Sequence, residues 1–575
     1  MLRPETESAF ETAAAGRRRS DPGRFTPKIV AVLREGYTLK HLRADVIAGL
    51  TVAIIALPLA TALAIASGAS PDKGLITAIV AGALVSALGG SRVQIGGPTG
   101  AFVVVIFNVI ATHGYDGLVL ATLLAGIILV IAGYSGLGRV IRYIPHPVIT
   151  GFTAGIAVII ASSQINDFLG LGITDVPADF IDKWAAYLSA IGNTDPANLA
   201  VGGGSLLFIL ALRKFAPRLP AFLVAIVVGS AAVALLGVDV DTIGSRFPDM
   251  NAGLPPPAVP DFSLAKVQEV LPSAFTIAFL AGIEALLSCI VADGMTGFRH
   301  RSSQELVGQG VANFASALFG GLPATGAIAR TAANIKAGGR TPFAGIFHAF
   351  FLLLFVLFAM DLLAFVPMTV LAAILLMVAW GMSEAQRFLV LLRMSIGERT
   401  VLVITFLLTV LVDLTAAIGI GVTLASLMFM ARMSESVAVS AAGTGAPDEE
   451  DPTQRENLPQ GVEVLRITGP FFFGVAGELL DALKRIGTRP RAIILRLEQV
   501  PFFDASGALA LQEFLEQAER NGIKIILSGL RPEARTLIKR ARAGEHDVMP
   551  LFARNYEMAL LLAADHRSQP GAAGA

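Results

Sequence analysis

Long stretches of this sequence contain almost no charged residue. Between residues 46 and 91 the only charges are Asp72 and Lys73, and between residues 400 and 431 the only charge is Asp413. Apolar stretches of this length are typical of helices that cross a membrane. The composition agrees, because 15% of the 575 residues are charged, whereas about a quarter of the residues in a soluble domain are charged. The sequence therefore excludes an ordinary soluble enzyme and predicts a polytopic α-helical membrane protein.

Glycine, proline and charged residues divide the apolar stretches into fourteen predicted segments, numbered 1 to 14 in chain order. The predicted bounds are 46–66, 74–90, 99–111, 117–136, 148–169, 198–213, 221–237, 271–291, 305–320, 324–335, 343–360, 362–381, 400–413 and 415–432. Thirteen Lys and Arg residues lie in loops after even-numbered segments, and four lie in loops after odd-numbered segments. Because Lys and Arg accumulate on the cytoplasmic side, we expect both termini to be cytoplasmic and the protein to lie in the plasma (inner) membrane.

The two halves of the membrane region are related. The run GGPTGA at 96–101 precedes segment 3 and the run GLPATGA at 321–327 precedes segment 10, and the two prolines are 225 residues apart. Because seven is odd, the second set of seven segments would enter the membrane from the opposite side, which makes a 7+7 inverted repeat. Segments 3 and 10 have about twelve residues each and would cover only about 18 Å of a ~30 Å core. Both are therefore predicted to be half-helices.

The N-termini of two such half-helices would meet near the midplane of the membrane. Each would present free N–H groups and about half a positive charge, which predicts an anion site. Arg330 lies two turns into segment 10 and could add a full positive charge to this site, or could form a structural ion pair. The alternative for the two Gly-Pro runs is that they merely kink packed helices. The amide of Asn334 is expected to bond backbone freed by the break.

Glu284 is the only charge between residues 271 and 292. A carboxylate within the membrane is a candidate proton carrier, because loss of water disfavours its charged form. Ser288 follows on the same helix face at i+4, so the two side chains could instead bind sodium. A third possibility is that Glu284 simply pairs with Arg330. No cluster of cysteine and histidine predicts a metal site, and no cofactor is expected.

The composition changes after Ser434. We predict a cytosolic tail over 1–45, a transmembrane domain over 46–433, a linker over 434–460, an α/β domain over 461–565 and a flexible tail over 566–575. Short alternating strand and helix patterns predict the α/β domain, including a helix over 477–486. The domain has no phosphate-binding loop, which favours a regulatory or docking role on the cytosolic side.

Several runs resemble the SulP anion permease family. They are GIEALLS at 282–288, ADGMTG at 292–297, QELVGQG at 304–310, and the stretches 96–102 and 323–330. The run DASG at 504–507 resembles the centre of a STAS domain, and LMVAWGMSEA at 376–385 is most similar to the bacterial branch that includes the C4-dicarboxylate carrier DauA. The resemblance covers about 40 to 565. It implies fourteen spans in a core and a gate group, substrate between segments 3 and 10, and a homodimer.

The resemblance also implies roles for individual residues. By motif match the anion would be held at the starts of the two half-helices by Thr99, Gly100, Ala101, Phe102, Thr325, Gly326, Ala327 and Ile328. Glu284 would take the coupling position of segment 8. Sodium-dependent bicarbonate relatives have Asp and Thr where this chain has Glu284 and Ser288, which favours coupling to protons. Ser506 matches a serine that is phosphorylated in STAS proteins, although a serine after a turn commonly caps a helix.

We therefore expect a secondary active transporter, and not an enzyme, because the chain lacks a nucleophile, base and oxyanion constellation. Two half-helix ends and Arg330 could offset about two negative charges, which favours proton-coupled symport of sulfate or a C4-dicarboxylate by alternating access, with bicarbonate as a further candidate. The alternatives are an anion channel or exchanger, or a transport-inactive sensor that signals through the STAS domain. Beyond the anion and the lipid bilayer, a cytosolic protein is a candidate partner. Equal totals of 44 basic and 44 acidic residues give no reason to expect nucleic acid.

Overall fold

The computed structural model describes residues 25–138, 145–174, 176–177, 179–217, 219–248, 253–412, 414–435, 438–441, 458–472, 490–540 and 549–565. The chain divides into two compact units, Met1–Thr423 and Leu424–Ala575. Most of the predicted linker, the predicted helix over 477–486 and the predicted tail over 566–575 lie outside the described residues.

Helices occupy all fourteen predicted segments. Segments 1 and 2 are Leu39–Ala66 and Pro71–Leu88, segment 3 begins with the 3-10 turn Gly100–Phe102, and segments 3 and 4 together form Val103–Ser135. Segments 5 to 14 are His146–Ser163, Pro196–Phe215, Ala221–Leu236, Leu264–Thr296, Ser302–Leu318, Ile328–Lys336, Phe343–Ala359, Met368–Met382, Ile396–Leu411 and Leu414–Glu435. Shorter helices are Lys28–Glu35, Ile165–Leu169, Phe180–Ala190, Ile243–Arg246 and Ala385–Leu392, with 3-10 turns at Ile191–Asn193 and Met360–Phe365.

Nine helical stretches among the described residues are long and apolar enough to cross a membrane. One of these nine stretches contains both segment 3 and segment 4. The two segments are separated only by Gly114, whose φ of 70° and ψ of 179° interrupt the helix. A positive φ of this kind favours glycine, since a side chain would be strained there. The loop expected between segments 3 and 4 is therefore a one-residue break.

Two segments begin seven residues earlier than predicted. Segment 1 begins at Leu39 rather than 46, and segment 8 begins at Leu264 rather than 271. The region 1–45, predicted to be a tail, thus contains about two turns of segment 1 and the helix Lys28–Glu35. The charged residues of these first turns hid the helix from a search for apolar stretches.

The membrane helices form two groups by their packing. Segments 1 to 4 pack with segments 8 to 11, whereas segments 5, 6, 7, 12 and 13 pack mainly with one another. We call these the core group and the gate group. Within the core group, segments 4 and 9 cross at Gly126 and Gly310, where a Cβ atom on either glycine would lie less than 3 Å from the carbonyl oxygen of the other. Small residues at such crossings allow two helices to approach closely.

The membrane unit contains two short strands, β1 (Gly96–Gly97) and β2 (Thr325–Gly326), and the second unit contains a five-stranded sheet. Its strands, in sheet order, are β3 (Ala438–Ala441), β4 (Val462–Thr468), β5 (Ala492–Arg496), β6 (Lys524–Ser528) and β7 (Leu551–Ala553). β3 is antiparallel to β4 and the other neighbours are parallel. β3 falls inside the region 434–460, which was predicted to be a linker. That prediction is wrong at these four residues, because a strand this short gives no clear alternating pattern.

Apolar side chains cover both faces of this sheet. Ile493 and Leu495 of β5 pack in one buried cluster with Phe514, and Ile494 packs in a second cluster with Ala559 on the opposite face. Successive side chains of a strand point to opposite faces, so a central parallel strand is apolar throughout. The described helices that follow β5 are Ala505–Arg520, Pro532–Arg540 and Tyr556–Asp565.

Candidate functional site

Two short strands pair with each other in the interior of the core group, and we call the place where they pair the crossing. β1 (Gly96–Gly97) pairs antiparallel with β2 (Thr325–Gly326), and all four residues are buried. A half-helix begins a few residues after each strand, so the crossing brings the starts of segments 3 and 10 close together. Neither strand was predicted from the sequence. For β1 the sequence did contain an indication, because Gly97 precedes Pro98 and a residue before proline favours extended backbone.

Glu284 of segment 8 contacts the start of segment 3. The Thr99 hydroxyl donates a hydrogen bond of 2.7 Å to the Glu284 carboxylate, and both side chains are half-buried. Thr99 is the residue that precedes the first turn, but its side chain bonds none of the amides of that turn. The structure therefore brings together two of the predicted site residues, one from each half of the repeat.

Segment 8 also contacts the strand that leads to segment 10. The Thr325 hydroxyl donates to the carbonyl oxygen of Ala281, one turn before Glu284, at 2.8 Å. Ile328 at the start of segment 10 is 41% exposed, whereas Ala327 is buried. The prediction placed the start of segment 10 at residue 324, but residues 325 and 326 form β2 and the helix begins at Ile328.

The other predicted residues on the segment 3 side contribute differently from Thr99. Ala101 and Phe102 are fully buried in the large apolar cluster of the membrane unit, and Gly100 lies close to the sulfur of Met382. The side chains of Ala101 and Phe102 therefore pack the start of segment 3, and an anion there would meet the backbone of these three residues.

Arg330 is fully buried and fixes the backbone of the opposite half of the repeat. Its guanidinium donates to the carbonyl oxygens of Pro98 and, at 3.5 Å, Gly96. No ion pair between Arg330 and Glu284 exists in the structure, so the alternative of a simple Glu284–Arg330 pair is wrong for this conformation. Arg330 positions β1 and brings a positive charge to the crossing.

Ser288 lies one turn after Glu284 and is fully buried. Its hydroxyl donates to the Thr331 hydroxyl oxygen of segment 10 at 3.4 Å, and that oxygen also accepts from the Ile95 amide at 3.1 Å. Glu284 therefore bonds to segment 3 and Ser288 bonds to segment 10. This arrangement does not gather their oxygens around one ion, and no group of three His, Cys, Asp or Glu residues in the described part of the chain is placed to hold a metal ion.

Further polar side chains support the crossing. Asn334 donates to the carbonyl oxygen of Val93 at 2.8 Å, which confirms the expectation that it bonds backbone near the break. Thr331 and Gln94, whose amide oxygen accepts from the Cys289 thiol, were missed in the sequence. The signal for Thr331 was the polar face of segment 10, since polar residues in a membrane helix face the protein interior.

Gly97 offers a direct test of this crossing. Its φ is +146°, and a Cβ atom would collide with the Arg330 guanidinium. We expect Gly97→Ala to destabilise the protein by about 1–3 kcal/mol, the usual cost of a strained backbone position. The measurement is the thermal unfolding of the purified protein. Gly204→Ala is the matched control, because a Cβ atom there meets nothing within 4 Å. Equal unfolding temperatures for Gly97→Ala and the parent protein would contradict the described crossing.

Ser506 is exposed in the first turn of the helix Ala505–Arg520. The residue that caps this helix is Asp504, whose carboxylate accepts from the Gly507 amide at 2.7 Å. The expectation that Ser506 itself caps the helix is therefore wrong. Asp504 takes the position because its carboxylate accepts a hydrogen bond well and its negative charge favours a helix N-terminus.

The two residues should respond differently to replacement by alanine. Asp504→Ala removes the cap and is expected to cost about 1 kcal/mol, which is roughly a fivefold loss of hydrogen-exchange protection in the first turn of the helix. Ser506→Ala is the matched control and should leave the protection unchanged. The measurement is hydrogen exchange of the purified full-length protein. A larger loss in Ser506→Ala than in Asp504→Ala would reverse the assignment.

Comparison with known proteins identifies the family. The model described as "Sulfate permease family" matches residues 42–405, and the model described as "STAS domain" matches residues 457–557. The chain belongs to the sulfate permease family. This membership confirms the predicted SulP and STAS resemblance and the expectation that the chain is not an enzyme. The narrower resemblance to the DauA branch stays a prediction.

Relatives match over most of the chain. The protein named "Putative sulfate transporter YvdB" of Bacillus subtilis (strain 168) is 37% identical over 506 residues, which cover 88% of this chain and 94% of the relative. The bicarbonate transporter BicA of Synechocystis sp. (strain ATCC 27184 / PCC 6803 / Kazusa) is 33% identical over 512 residues, which cover 85% of this chain and 88% of the relative.

Two solved structures share the fold. The transmembrane domain of a cyanobacterium bicarbonate transporter BicA aligns with a TM-score of 0.60 at 34% identity, over 67% of this chain and 99% of that chain. The murine anion transporter Slc26a9 in the inward-facing state aligns with a TM-score of 0.82 at 18% identity, over 95% of this chain and 96% of that chain. Together with the family match, these similarities confirm a multi-pass helical membrane protein with a STAS domain.

Proposed function

We propose that this protein is a secondary active transporter of small anions that binds its substrate between the starts of segments 3 and 10. One observation supports this most strongly: the crossing of β1 and β2 joins the starts of two half-helices beside Glu284. Each helix start contributes about half a positive charge. Arg330 adds a full charge and has no carboxylate within ion-pair distance among the described residues. The local field therefore favours an anion.

Glu284 provides a physical basis for coupling to protons. When its carboxylate is charged, it cancels part of the positive field and accepts the Thr99 hydroxyl. When it is protonated, the field becomes more positive by one charge and an anion binds more tightly. Coupling of this kind is reciprocal, so the anion must also promote proton binding. The separate hydrogen bonds of Glu284 and Ser288 make sodium the weaker candidate.

The charge at the crossing favours a dianion. The name of the Bacillus relative refers to sulfate and that of the Synechocystis relative refers to bicarbonate. Sulfate is a dianion and is also the anion in the first of these names, so we rank sulfate above bicarbonate as the candidate substrate. A C4-dicarboxylate fits the charge equally well and is supported by the DauA resemblance of residues 376–385.

The two helix groups support a proposal of alternating access. Segments 3, 8 and 10 all belong to the core group, so the site would move as one body. We propose that the core group rocks or slides against the gate group and exposes the site to each side in turn. We further propose a homodimer in the plasma membrane with cytoplasmic termini, and a STAS domain that binds a cytosolic protein. The exposure of Ser506 is compatible with its phosphorylation.

The test is uptake into proteoliposomes of the purified protein. Labelled sulfate, succinate and bicarbonate would each be supplied with and without an inward proton gradient, with the other two anions as competitors. Saturable accumulation of sulfate above equilibrium, driven by the gradient, is the expected result. Accumulation of another anion instead would change the substrate assignment, and uptake that only follows the anion's own gradient would indicate a channel. No uptake of any anion by tight, correctly reconstituted vesicles would contradict the proposed function.

A further inference from the structure

A cavity of about 1140 Å³ lies in the membrane unit apart from the crossing of the two strands. Segments 1, 3, 5 and 12 and the loops after segments 5 and 7 contribute its lining, but Thr99, Glu284 and Arg330 do not. The cavity touches segment 3 at Val103, Val104, Phe107 and Asn108, so it reaches the first helical turn of that segment. The positive-inside pattern predicts that the loops after segments 5 and 7 lie outside the cell. The cavity is thus a candidate outer vestibule.

Lys183 is the buried cation of this cavity. It lies on the short helix Phe180–Ala190, and only 5% of its surface is exposed. Its ammonium lies 5.6 Å from the centre of the Phe107 ring. None of the described carboxylates lies within 4.0 Å of it. Burial lowers the pKa of Lys183, although the charge of Asp179 opposes the shift. A buried ammonium without an acid partner is costly, and a bound anion would relieve that cost.

The carboxylates of the same cavity are mostly engaged elsewhere. Asp167 pairs with Arg246 at 2.9 Å, and Asp241 approaches the same guanidinium at 3.6 Å. Asp195 accepts from the amides that begin segment 6. Asp239 is exposed, so water screens its charge. Lys183 is therefore a buried cation with no described carboxylate within 4.0 Å, and Asp179 acts on it only from a greater distance.

We propose that Lys183 forms a second anion site, which takes a small inorganic oxyanion in the vestibule before it reaches the crossing of β1 and β2. The inference rests on the proposed transport function and adds an entry site to it. The ammonium contributes one positive charge, and the four aspartates of the lining weaken its attraction for an anion. Such a site binds an anion weakly enough to release it.

Trp184, the neighbour of Lys183, gives a readout that does not depend on transport. The chain has two tryptophans, so Trp380→Phe leaves Trp184 as the single reporter. The Trp184 indole donates to the Ser162 hydroxyl at 3.1 Å, which fixes the ring beside the cavity. Purified full-length protein with this change would be titrated with bicarbonate or sulfate at constant ionic strength. We expect a saturable change in emission with sulfate, the first candidate substrate.

Adding Lys183→Gln should move the midpoint at least tenfold higher or abolish the change. Lys266→Gln is the matched control, since Lys266 is an exposed lysine paired with Asp261 at 2.8 Å and does not line the cavity. The control should keep the parent midpoint. A parent without a saturable response, or an unchanged midpoint in Lys183→Gln, would overturn the proposal. Saturable emission together with no uptake in proteoliposomes would instead contradict the proposed function and leave the site standing.

A second variant guards against a folding defect in Lys183→Gln. Lys183→Cys can be modified with a 2-aminoethyl or a 2-sulfonatoethyl methanethiosulfonate reagent, and the native Cys289 is buried. The positive adduct should restore the emission change and the negative adduct should not. Equal responses of the two adducts would count against a role for the positive charge.

Discussion

Replacing Glu284 with glutamine is expected to abolish the part of anion uptake that a proton gradient drives. Glutamine has nearly the same size and can still accept the hydrogen bond from Thr99, but it cannot gain or lose a proton at physiological pH. We expect initial uptake under an inward gradient to fall at least tenfold, to the level measured without a gradient. Exchange of internal for external anion should persist, because a neutral residue leaves the positive field of the crossing intact. The measurement compares gradient-driven uptake with anion exchange in the same proteoliposomes.

Glu269→Gln is the matched control for this change. Glu269 lies on the same helix, Leu264–Thr296, but its side chain is 62% exposed and contacts His113 rather than the crossing. Uptake by this variant should keep its full dependence on the gradient. If Glu284→Gln retained gradient-driven accumulation, Glu284 would not be the coupling residue, and proton transfer would have to involve another group.

Arg330→Gln should have a still broader effect. The guanidinium donates to the carbonyl oxygens of Pro98 and Gly96, so its loss leaves buried acceptors without donors. An unsatisfied buried group costs about 1–3 kcal/mol, and the crossing also loses a full positive charge. We expect uptake of every anion to fall to background, with and without a gradient, and the protein to unfold at a lower temperature. Arg330→Lys should rescue little, because a single ammonium cannot reproduce the planar fork.

The matched control for Arg330 is Arg387→Gln. Arg387 is an exposed residue paired with Glu384 at 2.9 Å, and exposed pairs contribute about 0–1 kcal/mol. Uptake and thermal unfolding would be measured on the parent protein and on the variants Arg330→Gln, Arg330→Lys and Arg387→Gln. Near-parental uptake by Arg330→Gln would show that neither the charge nor the backbone contacts of Arg330 are needed at the crossing.

The sequence predicted the membrane architecture well because each segment is a local feature. Apolar length identifies a helix without reference to any other part of the chain, and all fourteen segments are helical in the structure. The errors occur where a helix begins with charged residues, as at Leu39, or where one glycine replaces a loop, as at Gly114. The α/β domain was predicted from strands and helices that alternate at short spacing along the chain, but the four-residue strand β3 was too short to give a clear pattern.

The contacts of the site were less predictable, because its partners lie far apart in the sequence. Arg330 and Pro98 are 232 residues apart, and Thr99 and Glu284 are 185 apart. Residue type showed that a buried arginine needs acceptors, but only the fold shows that these are backbone carbonyls rather than Glu284. The same limit applies to Ser288, whose place on the Glu284 face of the helix did not predict a bond to Thr331. The cap at Asp504 could have been found, since aspartate is a preferred capping residue.

The position of β3 determines how the STAS domain can be prepared alone. A fragment that begins at residue 461, the boundary expected from the sequence, omits Ala438–Ala441 and leaves one side of β4 unpaired. An open strand edge is a template for pairing with other chains. Such a fragment should self-associate for reasons unrelated to the biology of the transporter. A fragment meant for partner searches should begin before Ala438.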